Sequence, residues 1–423
     1  PIRSPQDAIR RGISVVSQER DLAPRLSVAE NIFFGRLPNR RGRVLWAQLY
    51  RDCAAILAQV GLEVDPQLGV EHLGIAARQL VEIARALSCQ ARVLIMDEPT
   101  SALTPAEIVR LFVLIRRLRE QGTAVLYVSH KLEEVLALAG RITVLRDGAR
   151  VATMGAGELD EARLIALMVG RPLGELFPRT QRVSGKVALE VQGLCTERVR
   201  EISFQVAEGE IIGLSGLMGA GRTEVARAVL GLDRRLAGEV RVGGEVLPPD
   251  SCVAARRLGL GLVPEDRRGE GIFPQLGVDH NTSIASLERF SRRGWLRRDE
   301  ERRAVAEQVQ RLEIRTPSLS QRIALLSGGN QQKVLVARWL LRQGLRVLLV
   351  DEPTRGIDVG ARAEIYRLLD QLAGQGLGLV VISSELPELL GLCDRVYVMK
   401  AGRITGSLLR AEASQERLLA MAL

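Results

Sequence analysis

One set of motifs occurs twice in this chain, in the same order, and that constrains its fold more than any other feature. In the first half, Gln18 is followed by LGIAARQ at Leu73–Gln79, by VLIMDEPTSALT around Asp97 and Glu98, and by VSH at Val128–His130. In the second half, Glu265 is followed by LSGGNQQ at Leu326–Gln332, by VLLVDEPTRGID around Asp351 and Glu352, and by ISS at Ile382–Ser384. Matching positions lie 247 to 254 residues apart, so one module is present in two copies. One member is single. GLMGAGRT at Gly216–Thr223 has no first-half counterpart, because a position 247 residues earlier falls before Pro1. The chain is therefore expected to start inside its first module.

Two modules suit a length of 423 residues, each large enough to bury its own core. The first is expected over residues 1–152 and the second over 187–423, joined at 153–186 by a helical tail and the polar connector RPLGELFPRTQRVSGK. Within each, apolar strand-like runs such as RVLIMD and AVLYVSH alternate with helical stretches such as Pro105–Arg119. That alternation predicts an α/β fold, a mainly parallel sheet with helices packed on it and polar residues at the strands' carboxyl ends. No apolar run approaches the ~18 residues of a membrane span. The five cysteines are scattered, without the paired spacing of a metal site. The net charge of +9 is spread along the chain, with short clusters such as Arg289–Arg303, and reads as a solvated surface. An aromatic content of 3% argues against a base-stacking platform for nucleic acid.

Gly216–Thr223 follows a strand at Glu210–Leu214 and precedes a helix at Thr223–Leu230. Gly216, Gly219, Ala220 and Gly221 let the backbone curl so that its amides point at phosphate oxygens, and the hydroxyl of Thr223 is placed to bind magnesium. Arg222 stands where this kind of loop usually has lysine; the charge is kept, but as a planar fork rather than a point charge. Asp97 and Asp351 end hydrophobic strands and are expected in the magnesium shell. Glu98 and Glu352 follow them and are expected to orient or deprotonate an attacking water, since phosphoryl transfer asks mainly for positioning and charge. His130, at the end of the next strand, is placed to touch a terminal phosphate. Ser327, Gly328, Gly329 and Asn330 precede a helix and offer a second anion site. Phe204, in ISFQV, alternates like a strand with one buried face and is expected in the core.

GLMGAGRTE, VPEDRRGEGIF, LSGGNQQK and DEPTRGIDVGARAEIY together resemble the tandem ATP-binding cassette (ABC) ATPase subunit of bacterial monosaccharide importers of the ribose, galactose and xylose type. The resemblance implies two P-loop NTPase cassettes, each with a small helical subdomain, the first lacking its P-loop. It implies ATP and Mg2+ as ligands, two transmembrane permease subunits and an extracytoplasmic sugar-binding protein as partners, with self-association open and no nucleic acid. The place implied is the cytoplasmic face of the membrane, peripherally. Head-to-tail closure in such proteins would combine Gln18, Asp97, Glu98 and His130 with Ser327, Gly328, Gly329 and Asn330. The other site would combine Arg222, Thr223, Asp351 and Glu352 with a first-copy signature in which Gly74 replaces serine. That second site also has Ser384 for the switch histidine and Glu265 for Gln18, so it is expected to bind nucleotide better than it turns it over. The chain by itself is expected to bind Mg-ATP at Gly216–Thr223 without appreciable hydrolysis.

The segments after Gln18 and Glu265 correspond in that family to the surface that receives a permease helix. Leu22, Leu26, Phe33, Phe34, Ile272 and Phe273 either line such a groove or form the core of the helical subdomain. The rivals are a soluble tandem ATPase acting on ribosomes or nucleic acid, and a non-functional fragment. The sugar itself is not legible.

Overall fold

The computed structural model describes residues 2–16, 22–89, 91–100, 103–129, 131–146, 148–169, 177 and 185–423. They form two compact units, Pro1–Met168 and Val169–Leu423.

In the first unit three parallel strands, Ile13–Val16, Val93–Asp97 and Ala124–Val128, pair in that order, with Val93 opposite Ile13 and Ala124. The helix read from Pro105 runs Pro105–Glu120. It starts where it does because Thr104 accepts from the Glu107 amide while the Glu107 carboxylate accepts from the Thr104 amide, a reciprocal cap. Helices Val28–Ile32, Trp46–Val60 and Ile75–Leu87 close one side of the sheet around Ile32, Leu49, Ile83, Leu94 and Met96. The other side leaves Val15, Leu126 and Val128 exposed. A hairpin of Arg141–Arg146 and Ala149–Gly155 makes a second small core, with Leu164 of helix Glu161–Val169 packed against Ile142 and Val144.

The second unit contains the same three strands within a larger sheet. Leu260–Val263, Val347–Asp351, Gly378–Ile382, Ile211–Gly216, Arg395–Lys400 and Arg403–Leu409 lie in that order, all parallel except the last. Val347–Asp351 and Gly378–Ile382 are buried throughout, as unbroken apolar runs in a sheet covered on both faces should be. One cover is helix Arg222–Val229, whose Val225 and Val229 share a core with Val347, Leu349 and Val380. A four-stranded antiparallel sheet, with Val187–Cys195 central, adds Leu189, Val191 and Phe204 to the same core. Phe204 is buried against Tyr397, in keeping with the core role expected for it. Residues 278–341 form a helical subdomain of Val278–Ser283, Arg298–Arg311 and Gly328–Leu340.

Candidate nucleotide site

The parallel strand Ile211–Gly216 delivers the glycine loop to the carboxyl edge of the sheet, and helix Arg222–Val229 leads away from it. Gly221 has φ +96°, and a Cβ there would sit 2.7 Å from a Val199 methyl carbon. At Gly216 a Cβ would sit 2.6 Å from the carbonyl oxygen of Met399. These two glycines are therefore required by packing.

Just past the loop, the Thr223 hydroxyl donates to Oδ2 of Asp351 at 2.7 Å. Asp351 is only 2% exposed, and its Oδ1 has no hydrogen-bond partner. Burial is the main reason its carboxyl is pushed up to about 6. A buried carboxylate oxygen left unsatisfied costs free energy unless something binds it. Thr223 and Asp351 also border a cavity of about 90 Å³ that Glu265 lines as well. Two hard oxygen donors facing one cavity, one of them orphaned, fit a magnesium ion that keeps several waters and phosphate oxygens as its remaining ligands.

Arg222 does not point into open loop space. Its Nη1 donates to the Ser383 carbonyl oxygen at 2.7 Å, and its Nη2 lies 3.6 Å from the Glu352 carboxylate. Glu352 is also gripped by Ser384, whose amide donates at 2.8 Å and whose hydroxyl donates at 3.2 Å. Burial, the largest influence, raises the Glu352 carboxyl above its ordinary range. The backbone at Glu352 is left-handed, φ +47°, and at Glu98 it is φ +46°. Each of these glutamate amides bonds the last carbonyl of the neighbouring strand, Glu98 to Val128 at 2.9 Å and Glu352 to Ile382 at 2.8 Å. A non-glycine residue held at positive φ is strained, and the same strain recurs at the same place in both copies.

A family model described as ABC transporter matches residues 2–101 and 199–355. The chain is 51% identical to a ribose import ATP-binding protein of Rubrobacter xylanophilus over all of its own length and 84% of that protein's. The chain belongs to the ABC transporter family. It is also 48% identical to a ribose import ATP-binding protein of Streptomyces coelicolor, covering 99% of this chain and 83% of that one. With a ribose/galactose/methyl galactoside import ATP-binding protein of Agrobacterium fabrum it shares 44% identity over 100% of this chain and 84% of the relative.

Each unit is thus built on the architecture of an ATP-binding cassette, and the site residues can be placed on it. In the second cassette the structure brings together Thr223, Asp351, Arg222, Glu352 and Ser384. Glu265 lines the cavity that Thr223 and Asp351 border, and pairs with Arg355. Ser327, Gly328, Gly329 and Asn330 form the start of helix Gly328–Leu340 and do not line that cavity. There the Asn330 side-chain amide donates to the Ser327 hydroxyl oxygen at 2.8 Å and its carbonyl accepts from the Arg315 amide at 2.8 Å. A Cβ on Gly329 would meet that of Ala361 at 2.7 Å, so the helix start packs directly on helix Val359–Gly374. In the first cassette the matching helix Ile75–Leu87 begins at Gly74 with no side-chain cap, and Ile75 is exposed where the second copy has glycine. Asp97 ends its strand and Glu98 follows in the strained turn. Gln18 and His130 lie outside the described residues.

Two pairs of residues escaped the sequence reading. Glu134 and Glu388, 254 residues apart, are buried beneath the DEPT turns and accept from Thr100 at 2.8 Å and from Thr354 at 3.0 Å. Glu134 has Lys131 beside it at 3.3 Å, whereas Glu385 occupies the matching position near Glu388, whose carboxyl burial pushes up to about 7. Asn31 and Asn281, 250 residues apart, fasten the segments after Gln18 and Glu265. Asn31 donates to the carbonyls of Ala23, Leu26 and Ser27, and Asn281 to those of Phe273, Leu276 and Gly277. In both cases the available signal was the same residue type at the repeat offset.

The groove residues divide. Ile272 is 6% exposed and belongs to the core, and Phe33 packs on the first unit's core as Leu22 does. Phe34 at 56% and Phe273 at 46% are exposed.

Proposed function

We propose that this chain is the ATPase subunit of an importer for a monosaccharide, working at the cytoplasmic face of the membrane with two permease subunits and an extracytoplasmic sugar-binding protein. The observation that carries it is the buried Thr223–Asp351 pair with its orphaned oxygen, at the mouth of a glycine loop, in a chain whose relatives by name import ribose and galactose. Amides of Gly216–Thr223 hold the phosphates, and Thr223 with Asp351 holds the ion. Bound magnesium supplies positive charge against the phosphate oxygens. Glu98 orients the water in the first cassette, with Asp97, Gln18 and His130 around the same phosphate. Ser327, Gly328, Gly329 and Asn330 offer a hydroxyl and amides to a further phosphate. In the second cassette Glu352 is spoken for by Arg222 and Ser384, so this half retains nucleotide more than it consumes it. Uptake of labelled ribose, galactose and xylose by cells with and without the gene tests the reading. Unchanged uptake of every monosaccharide would overturn it.

Phe34 and Phe273, the exposed members of the groove set, are the positions proposed to meet a permease helix. Phe34→Asp and Phe273→Asp are expected to release the chain from permease-containing membranes while leaving its melting temperature unchanged. Ile272→Asp is expected to unfold the helical subdomain instead, because it buries an unpaired charge at a cost of several kcal/mol, on the order of 3 to 5. Co-sedimentation with such membranes beside a thermal melt separates the two outcomes.

A further inference from the structure

Each unit projects a small two-stranded hairpin that pairs with no other strand. The first joins Asn39–Arg40 to Arg43–Val44, and the second joins Ser291–Arg292 to Trp295–Leu296. Both turn on Arg-Gly with two positive φ values, +51° and +80° at Arg41 and Gly42, +53° and +84° at Arg293 and Gly294. That turn type matches the twist of the flanking strands, so the tips are formed structures. Asn31–Arg51 carries five arginines and no acid, and Asn281–Arg298 carries five arginines against Glu288 alone.

Among the described residues the side chains of Arg40, Arg41, Arg43, Arg292 and Arg293 make no ion pair or hydrogen bond. By contrast Arg36, Arg289 and Arg297 are tied to Ser88, the Leu341 carbonyl and Glu300. Beside each tip stands an exposed tryptophan, Trp295 at 82% and Trp46 at 45%. The chain's third tryptophan, Trp339, donates its indole N–H to the Leu262 carbonyl at 2.8 Å. A solvated indole beside unpaired guanidinium groups is a combination suited to an interface that is apolar on one side and anionic on the other.

We propose that these two hairpins are binding sites for the headgroup layer of anionic phospholipid, the arginines meeting phosphates and the tryptophans entering the interface. Free arginines near an anionic bilayer gain electrostatic attraction that falls off within a Debye length, so the contact is salt-sensitive. The inference rests on the membrane-associated reading above. It is tested apart from that reading, with vesicles that contain no permease.

The purified full chain is mixed with vesicles of phosphatidylcholine alone or with phosphatidylglycerol added. Binding to the anionic vesicles only, with a blue shift of tryptophan emission that Trp295→Phe diminishes, is the expected result. Removing two or three arginines per hairpin, as Arg40→Ala with Arg41→Ala and Arg43→Ala, and Arg292→Ala with Arg293→Ala, is expected to weaken partitioning at least about tenfold. The melting temperature and Mg-ATP affinity stay unchanged, since these side chains are exposed and distant in sequence from the nucleotide residues. No partitioning at low salt, or partitioning that the combined variant retains, would overturn the proposal. So would binding of the hairpins to RNA and not to vesicles. Sugar uptake that survives such a negative result would leave the importer reading standing.

Discussion

Asp351→Asn is expected to lower the affinity of the second cassette for Mg-ATP by about ten- to a hundredfold, the loss that goes with removing one charged contact of roughly 1.5 to 3 kcal/mol. The same change is expected to make the nucleotide-free chain more stable at neutral pH. Asp351 is buried with Oδ1 unpartnered, and its carboxyl rises from 3.8 to about 6 on folding. Below about pH 4 both folded and unfolded chains hold the proton, so nothing is lost. Between about 4 and 6 the unfolded chain has released it and the folded chain has not, so stability falls as pH rises. Above about 6 the penalty is complete, roughly 3 kcal/mol for a shift of about 2 units. Asparagine keeps a partner for Thr223 without a charge, so this pH slope should vanish. Calorimetric titration with Mg-ATP and thermal melts across pH 4 to 7 check both halves, and a variant with unchanged affinity would remove Asp351 from the metal shell.

In a version of the chain whose first cassette also carries a P-loop, Glu98→Gln is expected to abolish hydrolysis and uptake by the assembled transporter, a loss of about a hundredfold or more for a group that orients or deprotonates the nucleophile. Glu352→Gln is expected to change either by only a few fold. The two glutamates share a backbone conformation, φ +46° and +47°, so the expected difference rests on the residues that the sequence sets beside the carboxylates, His130 in the first copy and Ser384 in the second. That of Glu352 is occupied by the Ser384 amide and hydroxyl and has Arg222 3.6 Å away. Serine cannot take the place proposed for His130 beside the phosphate. Phosphate release and sugar uptake by the two single variants decide the matter. Equal losses would mean that both cassettes share the chemistry.

Much of this was legible before any coordinates because the chemistry is local. Strand, glycine loop and helix stand within fewer than twenty residues of one another, and the backbone amides of such a loop bind phosphate wherever it occurs. DEPT ends its strand in both copies for the same reason, and the repeat offset established the duplication. Helix Pro105–Glu120 was readable, to within one residue, from the proline at its first turn.

Other features depended on contacts between distant residues. Arg222 reaches Ser383, 161 positions away, and no property of GLMGAGRT foretells which carbonyl that guanidinium will find. Ile272 and Phe273 are adjacent and both apolar, yet Asn281 fastens the loop so that one enters the core and the other faces out. The apolar strands VLIMD and VLLVD read alike, but their surroundings differ. In the second copy helix Arg222–Val229 and the antiparallel sheet bury one face, and helices Gly328–Leu340 and Val359–Gly374 bury the other, while the first unit leaves one face of its sheet exposed. Sequence by itself determined which groups this protein carries and in what order, because those are properties of short segments. The tertiary structure decided which carboxylate keeps an oxygen without a partner, which is held on both, and which apolar side chains stay exposed, because burial and pairing are set by what the rest of the chain packs against them.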